Sequence, residues 1–212
     1  MRLGWPIAAL LGLVLPAKVS AQPLPSPGPY LSIGGGALQT QTFSNGSVDA
    51  SFQLGPSLEV AAGYNFGDFR ADLSYVYGSA AAKNASIQLF GTTQDLATTG
   101  SIQTNSLFVN GYYYVPTKHK VRPYFGGGVG YTRLGCGVGA SGSGFNYACG
   151  SSANTLGYQA KVGVSYQSTT QFELFAEGVY RGLTSRVSPY DSLDSFGVQA
   201  GLRYHFQDSP PK

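Results

Sequence analysis

The sequence predicts an all-β protein, specifically an eight-stranded antiparallel up-and-down transmembrane β-barrel, and three observations carry that expectation. Apolar and polar residues alternate with period 2 from Tyr30 onward, with no segment of period 3.6. The links between the runs alternate between short and long. The charges of the strands are expected on one side of the alternation, with none on the other. Composition agrees, since 11% of the 212 residues are charged, against roughly a quarter in an ordinary soluble domain, and 30 are glycine.

Residues 1–21 read as a secretory signal peptide. Met1-Arg2 precedes the apolar stretch Ile7 to Leu15, then come Pro16 and the small-residue site Val19-Ser20-Ala21, with cleavage after Ala21. That stretch is less than half of the roughly 20 apolar residues a spanning helix needs. Residues 22–29 form a proline-rich leader, an extended tether into the first strand. The barrel occupies residues 30–206 and a short tail residues 207–212. Without Arg2 and Lys18 the bases and acids nearly balance, which predicts no nucleic-acid partner.

The predicted strands are Tyr30 to Leu38, Gln53 to Phe66, Phe69 to Gly78, Ile102 to Val115, Val121 to Arg133, Thr155 to Gln167, Gln171 to Arg181 and Ser195 to Phe206. Short links fall at Gly67-Asp68, Pro116 to Lys120 and Ser168 to Thr170. Long ones fall at Gln39 to Phe52, Ser79 to Ser101, Leu134 to Asn154 and Gly182 to Asp194. In an antiparallel ring this puts all short links at one end, as in barrels with short periplasmic turns and long external loops.

Within the strands one phase is apolar, for example Leu58, Val60, Ala62, Tyr64 and Phe66. The other carries Glu59, Arg70, Asp72, Arg122, Lys161, Glu173, Glu177, Arg181 and Arg203. An outward charge costs about 2–4 kcal/mol at the bilayer midplane, so a spanning strand keeps its lipid face uncharged. Aromatics gather at the strand ends. Tyr64, Phe66, Phe69, Tyr166, Phe172, Tyr204 and Phe206 lie near the short turns, and Tyr75, Tyr77, Tyr131, Tyr158, Tyr180 and Phe196 near the long links, as two headgroup girdles would. The rival pattern is a soluble lipocalin-like barrel with the apolar phase inside. It would need a surface denser in Lys and Glu and a Gly-x-Trp signature, and the one Trp is Trp5.

The ordered segments AAGYNFGDFRADLSYVYG (Ala61 to Gly78), SLFVNGYYY (Ser106 to Tyr114), PYFGGGVGY (Pro123 to Tyr131) and FGVQAGLRYHF (Phe196 to Phe206) resemble the opacity-protein-like outer-membrane β-barrels related to the transmembrane domain of outer membrane protein A. The likeness spans Tyr30 to Phe206. It implies a bacterial outer-membrane location, partners among outer-membrane lipids and lipopolysaccharide, insertion by the outer-membrane assembly machinery, and contact with host surface molecules. The family usually ends on the terminal aromatic, whereas Gln207 to Lys212 follow Phe206 here.

Catalytic, cofactor and metal sites are not evident. The two histidines are His119, in the turn Lys118-His119-Lys120, and His205, at the short-turn end of the last strand, so no Ser-His-acid set converges in the external links. The inward charges are near balance in sign, which in a narrow eight-stranded lumen suits a network of pairs that plugs it better than an open polar pore. Cys136 and Cys149 lie in the third long link with 12 residues between them, a spacing that in an exported chain suggests a disulfide. The functional expectation is a structural scaffold presenting four external loops for surface interaction or adhesion. A small pore, or a lipid-modifying barrel enzyme, is the alternative. The oligomeric state is not legible.

Overall fold

The computed structural model describes residues 27–40, 43–44, 48–52, 54–89, 92–142, 145–149, 152–184 and 194–206. The signal-peptide segment, most of the leader and the tail lie outside the described residues. The strands are β1 (Gly28–Thr40), β2 (Phe43–Ser44), β3 (Val48–Phe52), β4 (Gly55–Asn65), β5 (Phe69–Leu89), β6 (Thr92–Tyr114), β7 (Val121–Gly142), β8 (Phe145–Cys149), β9 (Ser152–Gln167), β10 (Phe172–Leu183) and β11 (Ser195–His205). Eight of them close into a ring. β1 pairs with β4, and then β5, β6, β7, β9, β10 and β11 follow in turn. β11 pairs back onto β1, with Ile33 opposite both Val60 and Leu202. Closure leaves no free edge in this part of the molecule, so each ladder is satisfied internally.

The short turns have the chemistry their residues predict. Gly67, at φ +105°, turns the chain between β4 and β5, and its N–H donates to Asn65 Oδ1 at 3.1 Å. Between β9 and β10, Thr169 Oγ1 accepts the N–H of Phe172 at 3.0 Å.

The phases sort as a membrane barrel requires and as a lipocalin forbids. Val129, Val162 and Phe125 point outward with 69%, 66% and 55% of their surface exposed, while the nine predicted inner charges are each at most 8% exposed. A continuous apolar exterior of this kind is not compatible with water as solvent. The two aromatic bands are also in place. Phe69 and Tyr77, Phe172 and Tyr180, and Tyr166 and Tyr158 are each eight positions apart along one strand, or about 26 Å at ~3.3 Å per residue.

Two expectations are corrected. The first concerns the long links, parts of which are strand. β5 and β6 stay paired up to Leu89↔Thr92, and β7 runs on to Gly142. Pairing explains the extension. Where β4 stops at Ser57↔Gly78, β3 takes over the exposed edge of β5. Where β9 stops at Ser152↔Gly135, β8 takes over the edge of β7. The backbone groups left by the shorter neighbour are thus satisfied whatever the side chains. The result is an open outer sheet in the order β2-β3-β5-β6-β7-β8, standing on one side of the ring. The second correction is that the outward phase does carry a charge. Arg133 is exposed, on the same face of β7 as Tyr131 and just beyond it.

Candidate functional site

The lumen holds a dense set of buried polar side chains, and the period-2 ladders place its members. Because side chains alternate, every second residue of each strand enters the interior, and a narrow ring brings opposite walls within reach of one long side chain. Lys161 of β9 donates to Glu59 of β4 at 2.6 Å, and its ammonium also lies 3.0 Å from Glu177 of β10. Arg181 adds bonds to Glu59 at 3.1 Å, to Gln159 and to Ser57. Gln199 donates to both Glu59 and Glu177.

Nearer the short turns, Glu173 of β10 accepts a two-pronged contact from Arg70 of β5 at 2.9 and 2.8 Å, and a further bond from Arg203 at 2.7 Å. His205 Nε2 stands 3.2 Å from the same carboxylate. Tyr124 joins the two layers, since it donates to Glu177 and accepts from Arg203. The ring of Tyr114 lies under the Arg70 guanidinium, 3.9 Å from Cζ to ring centroid, and stacks on Tyr124 at 4.6 Å.

Seven of the nine inner charges therefore meet in one connected network. The other two do not join it by an ion pair. Asp72 is held by the Tyr30 hydroxyl at 2.8 Å and the Asn110 amide at 2.6 Å. Arg122 pairs with Asp68 of the β4–β5 turn at 2.8 Å.

Alternation puts Gln159, Gln199 and His205 in the phase of Lys161 and Arg203, whereas the charges alone did not point to Tyr30, Tyr114, Tyr124 or Asn110. Their signal was in the sequence, because each shares the phase of a charged or polar inner neighbour, as Tyr112 and Tyr114 share that of Asn110. The lumen also holds apolar side chains among its polar ones. Val76, opposite Glu59, and Val179, opposite Lys161, are buried at the level of the charges, as is Phe108 nearby, and Leu38, Ile102, Leu134 and Leu183 line the outer mouth together with Thr104, Thr132 and Arg181.

His119 and His205 both sit at the short-turn end, away from the outer sheet. No group of three or more His, Cys, Asp or Glu side chains suited to a metal is found among the described residues. Cys136 lies on β7, and β8 returns beside it with Cys149 opposite Val138.

No curated protein sequence matches the chain. Among solved structures it is similar to the Neisserial surface protein A, with a TM-score of 0.59 at 22% identity over 84% of this chain and 97% of that one. It is also similar to a major outer membrane protein from Thermus thermophilus, with a TM-score of 0.52 at 14% identity over 84% of this chain and 100% of that one. At these identities the likeness establishes the fold. The family model described as outer membrane protein beta-barrel domain matches residues 7–206. With a closed eight-stranded ring, an apolar exterior and a charged interior already described, the chain belongs to this outer membrane protein β-barrel family and is a barrel of the bacterial outer membrane.

Proposed function

We propose that this protein is a surface-interaction or adhesion protein in which the barrel is a scaffold and the outer sheet is the working surface. The observation that carries the reading is the run of β5 and β6 beyond the outer girdle, from Tyr77 to Leu89 and back from Thr92. Twelve residues of strand reach about 40 Å at ~3.3 Å per residue. This places a Ser-, Thr- and Ala-rich paired surface well clear of the headgroups. A preordered sheet loses less entropy on binding than a free loop would. Cys136 and Cys149 are proposed to bond to each other and hold the β7–β8 corner of that sheet. Residues 1–21 are proposed to be removed on export, and the outer-membrane assembly machinery to insert the barrel through its last strand.

The test is adhesion of bacteria displaying the intact protein or one whose β5–β6 hairpin is shortened between residues 82 and 99. Loss of binding to epithelial cells, with the barrel still folded, supports the reading. Undiminished binding overturns it.

The pore is the second reading, and the polar lower lumen favours it. Against it stand the ion pairs that cross the lumen in two layers and the apolar side chains packed among them. A planar-bilayer recording should stay silent, and discrete conductance steps would favour the pore. A lipid-modifying enzyme is the weakest reading, because both histidines lie at the end opposite the outer sheet.

A further inference from the structure

Arg133 breaks the rule that the outward phase of the spanning strands is uncharged, and its neighbours indicate why it can. The ladders put Asn105 of β6 and Asn154 of β9 directly beside it. The Tyr75 hydroxyl donates to Asn105 Oδ1 at 2.6 Å, which engages the amide oxygen and leaves the NH2 group to donate. One step down the same face, Leu107, Tyr131 and Leu156 form the next row, each about half exposed. A cationic and amide row thus stands immediately above an aromatic and aliphatic one, on three adjacent strands at the outer girdle. Arg133 pairs with no carboxylate among the described residues.

We propose that Arg133, flanked by Asn105 and Asn154, is a binding site for the phosphate of an outer-leaflet lipid, whose acyl chains lie on Leu107, Tyr131 and Leu156. The guanidinium is suited to it, because its planar fork matches two phosphate oxygens and it is less strongly hydrated than an ammonium. The placement is also the cheap one. An outward charge is costly at midplane and falls to near nothing at the interface, where an anionic partner makes it favourable. The site lies below the outer sheet and does not depend on the adhesion reading.

The experiment uses the folded protein in phosphatidylcholine nanodiscs doped with diphosphorylated lipid A or with its dephosphorylated form, and native mass spectrometry to count retained lipid. The wild type should retain the phosphorylated lipid preferentially. Arg133→Gln should lower that retention about tenfold, the scale of one charge-assisted contact, and Arg133→Lys should fall between. Lys118→Gln, an equal charge change in an exposed short turn, should match the wild type. Heat-modifiable migration on gels verifies that each variant is folded. Three results would overturn the proposal. These are retention by Arg133→Gln equal to the wild type, no preference for the phosphorylated lipid, or displacement of the lipid by inorganic phosphate at equal concentration, which would mark a site for the free ion.

Discussion

Lys161 Nζ meets Glu59 Oε1 at 2.6 Å across the full width of the lumen, from strands β9 and β4 that stand opposite one another in the ring of eight. Arg70 and Glu173, at 2.8 Å, likewise join the opposed strands β5 and β10. Each bridge ties two walls that share no backbone ladder. The pairs therefore resist flattening of the ring, which the ladders by themselves do not.

That geometry predicts strong coupling. Lys161→Met strands Glu59 and Glu177 with fewer cations, and Glu59→Gln leaves Lys161 and Arg181 short of a carboxylate. Breaking one side of a buried pair typically costs about 3–5 kcal/mol. The double variant should lose less than the sum of the singles, with a coupling of about 1–3 kcal/mol. Urea unfolding of the four proteins in lipid vesicles measures it. Strict additivity would mean that the two side chains do not interact in the membrane.

Much of this was legible beforehand, for a physical reason. A spanning strand has one periodicity and one forbidden face, so the ring of eight, its short turns, its girdles and its nine inner charges could all be read from alternation. The outer sheet could not. Residues 79–101 are rich in Ala, Ser and Thr with no apolar alternation, and their strand form comes from partners rather than propensity. β3 and β8 are recruited by the edges that β4 and β9 leave open. Arg133 could have been read, since it shares the phase of Tyr131. The specific contacts of the lumen, such as Tyr124 linking Glu177 to Arg203, depend on how far each side chain reaches across the ring, which alternation does not encode.

The outer face should reject charge at midplane. Val162 is 66% exposed and Leu73 is 49% exposed, and both lie between the girdles. Val162→Arg or Leu73→Arg should each lower stability by about 2–4 kcal/mol in bilayers. Folding yield in vesicles, read as the heat-sensitive gel shift, is the measurement. Two variants that assemble as well as the parent would mean that the face does not contact hydrocarbon.

Two glycines facing opposite ways should respond differently. A Cβ on Gly128 would collide with Asn110 Oδ1 and lie 2.6 Å from the Val109 carbonyl oxygen, whereas one on Gly111 meets nothing within 4 Å. Gly128→Ala should displace Asn110 from Asp72 and cost about 1–3 kcal/mol, as overpacking does. Gly111→Ala should be close to neutral. Equilibrium unfolding of both decides it, and equal losses would mean that the tight approach at Gly128 is relieved elsewhere.

The last prediction separates scaffold from working surface at the β7–β8 corner. Cys136 and Cys149 lie beyond Gly135↔Ser152, the point where β9 ceases to pair with β7, so a bond between them constrains the outer sheet and no part of the ring. Replacing both with Ser should leave assembly and heat-modifiability unchanged. Binding to an antibody or cell that reads the shape of this corner should weaken, because a loosened hairpin must be ordered again on binding. Closing a segment of this length is worth about 3 kcal/mol on the chain-entropy model, and here that constraint would act on the hairpin alone. Non-reducing mass spectrometry of protein taken from the envelope tests the bond. Two free thiols would remove the premise, and a double-Ser variant that fails to assemble would show that the bond serves the barrel.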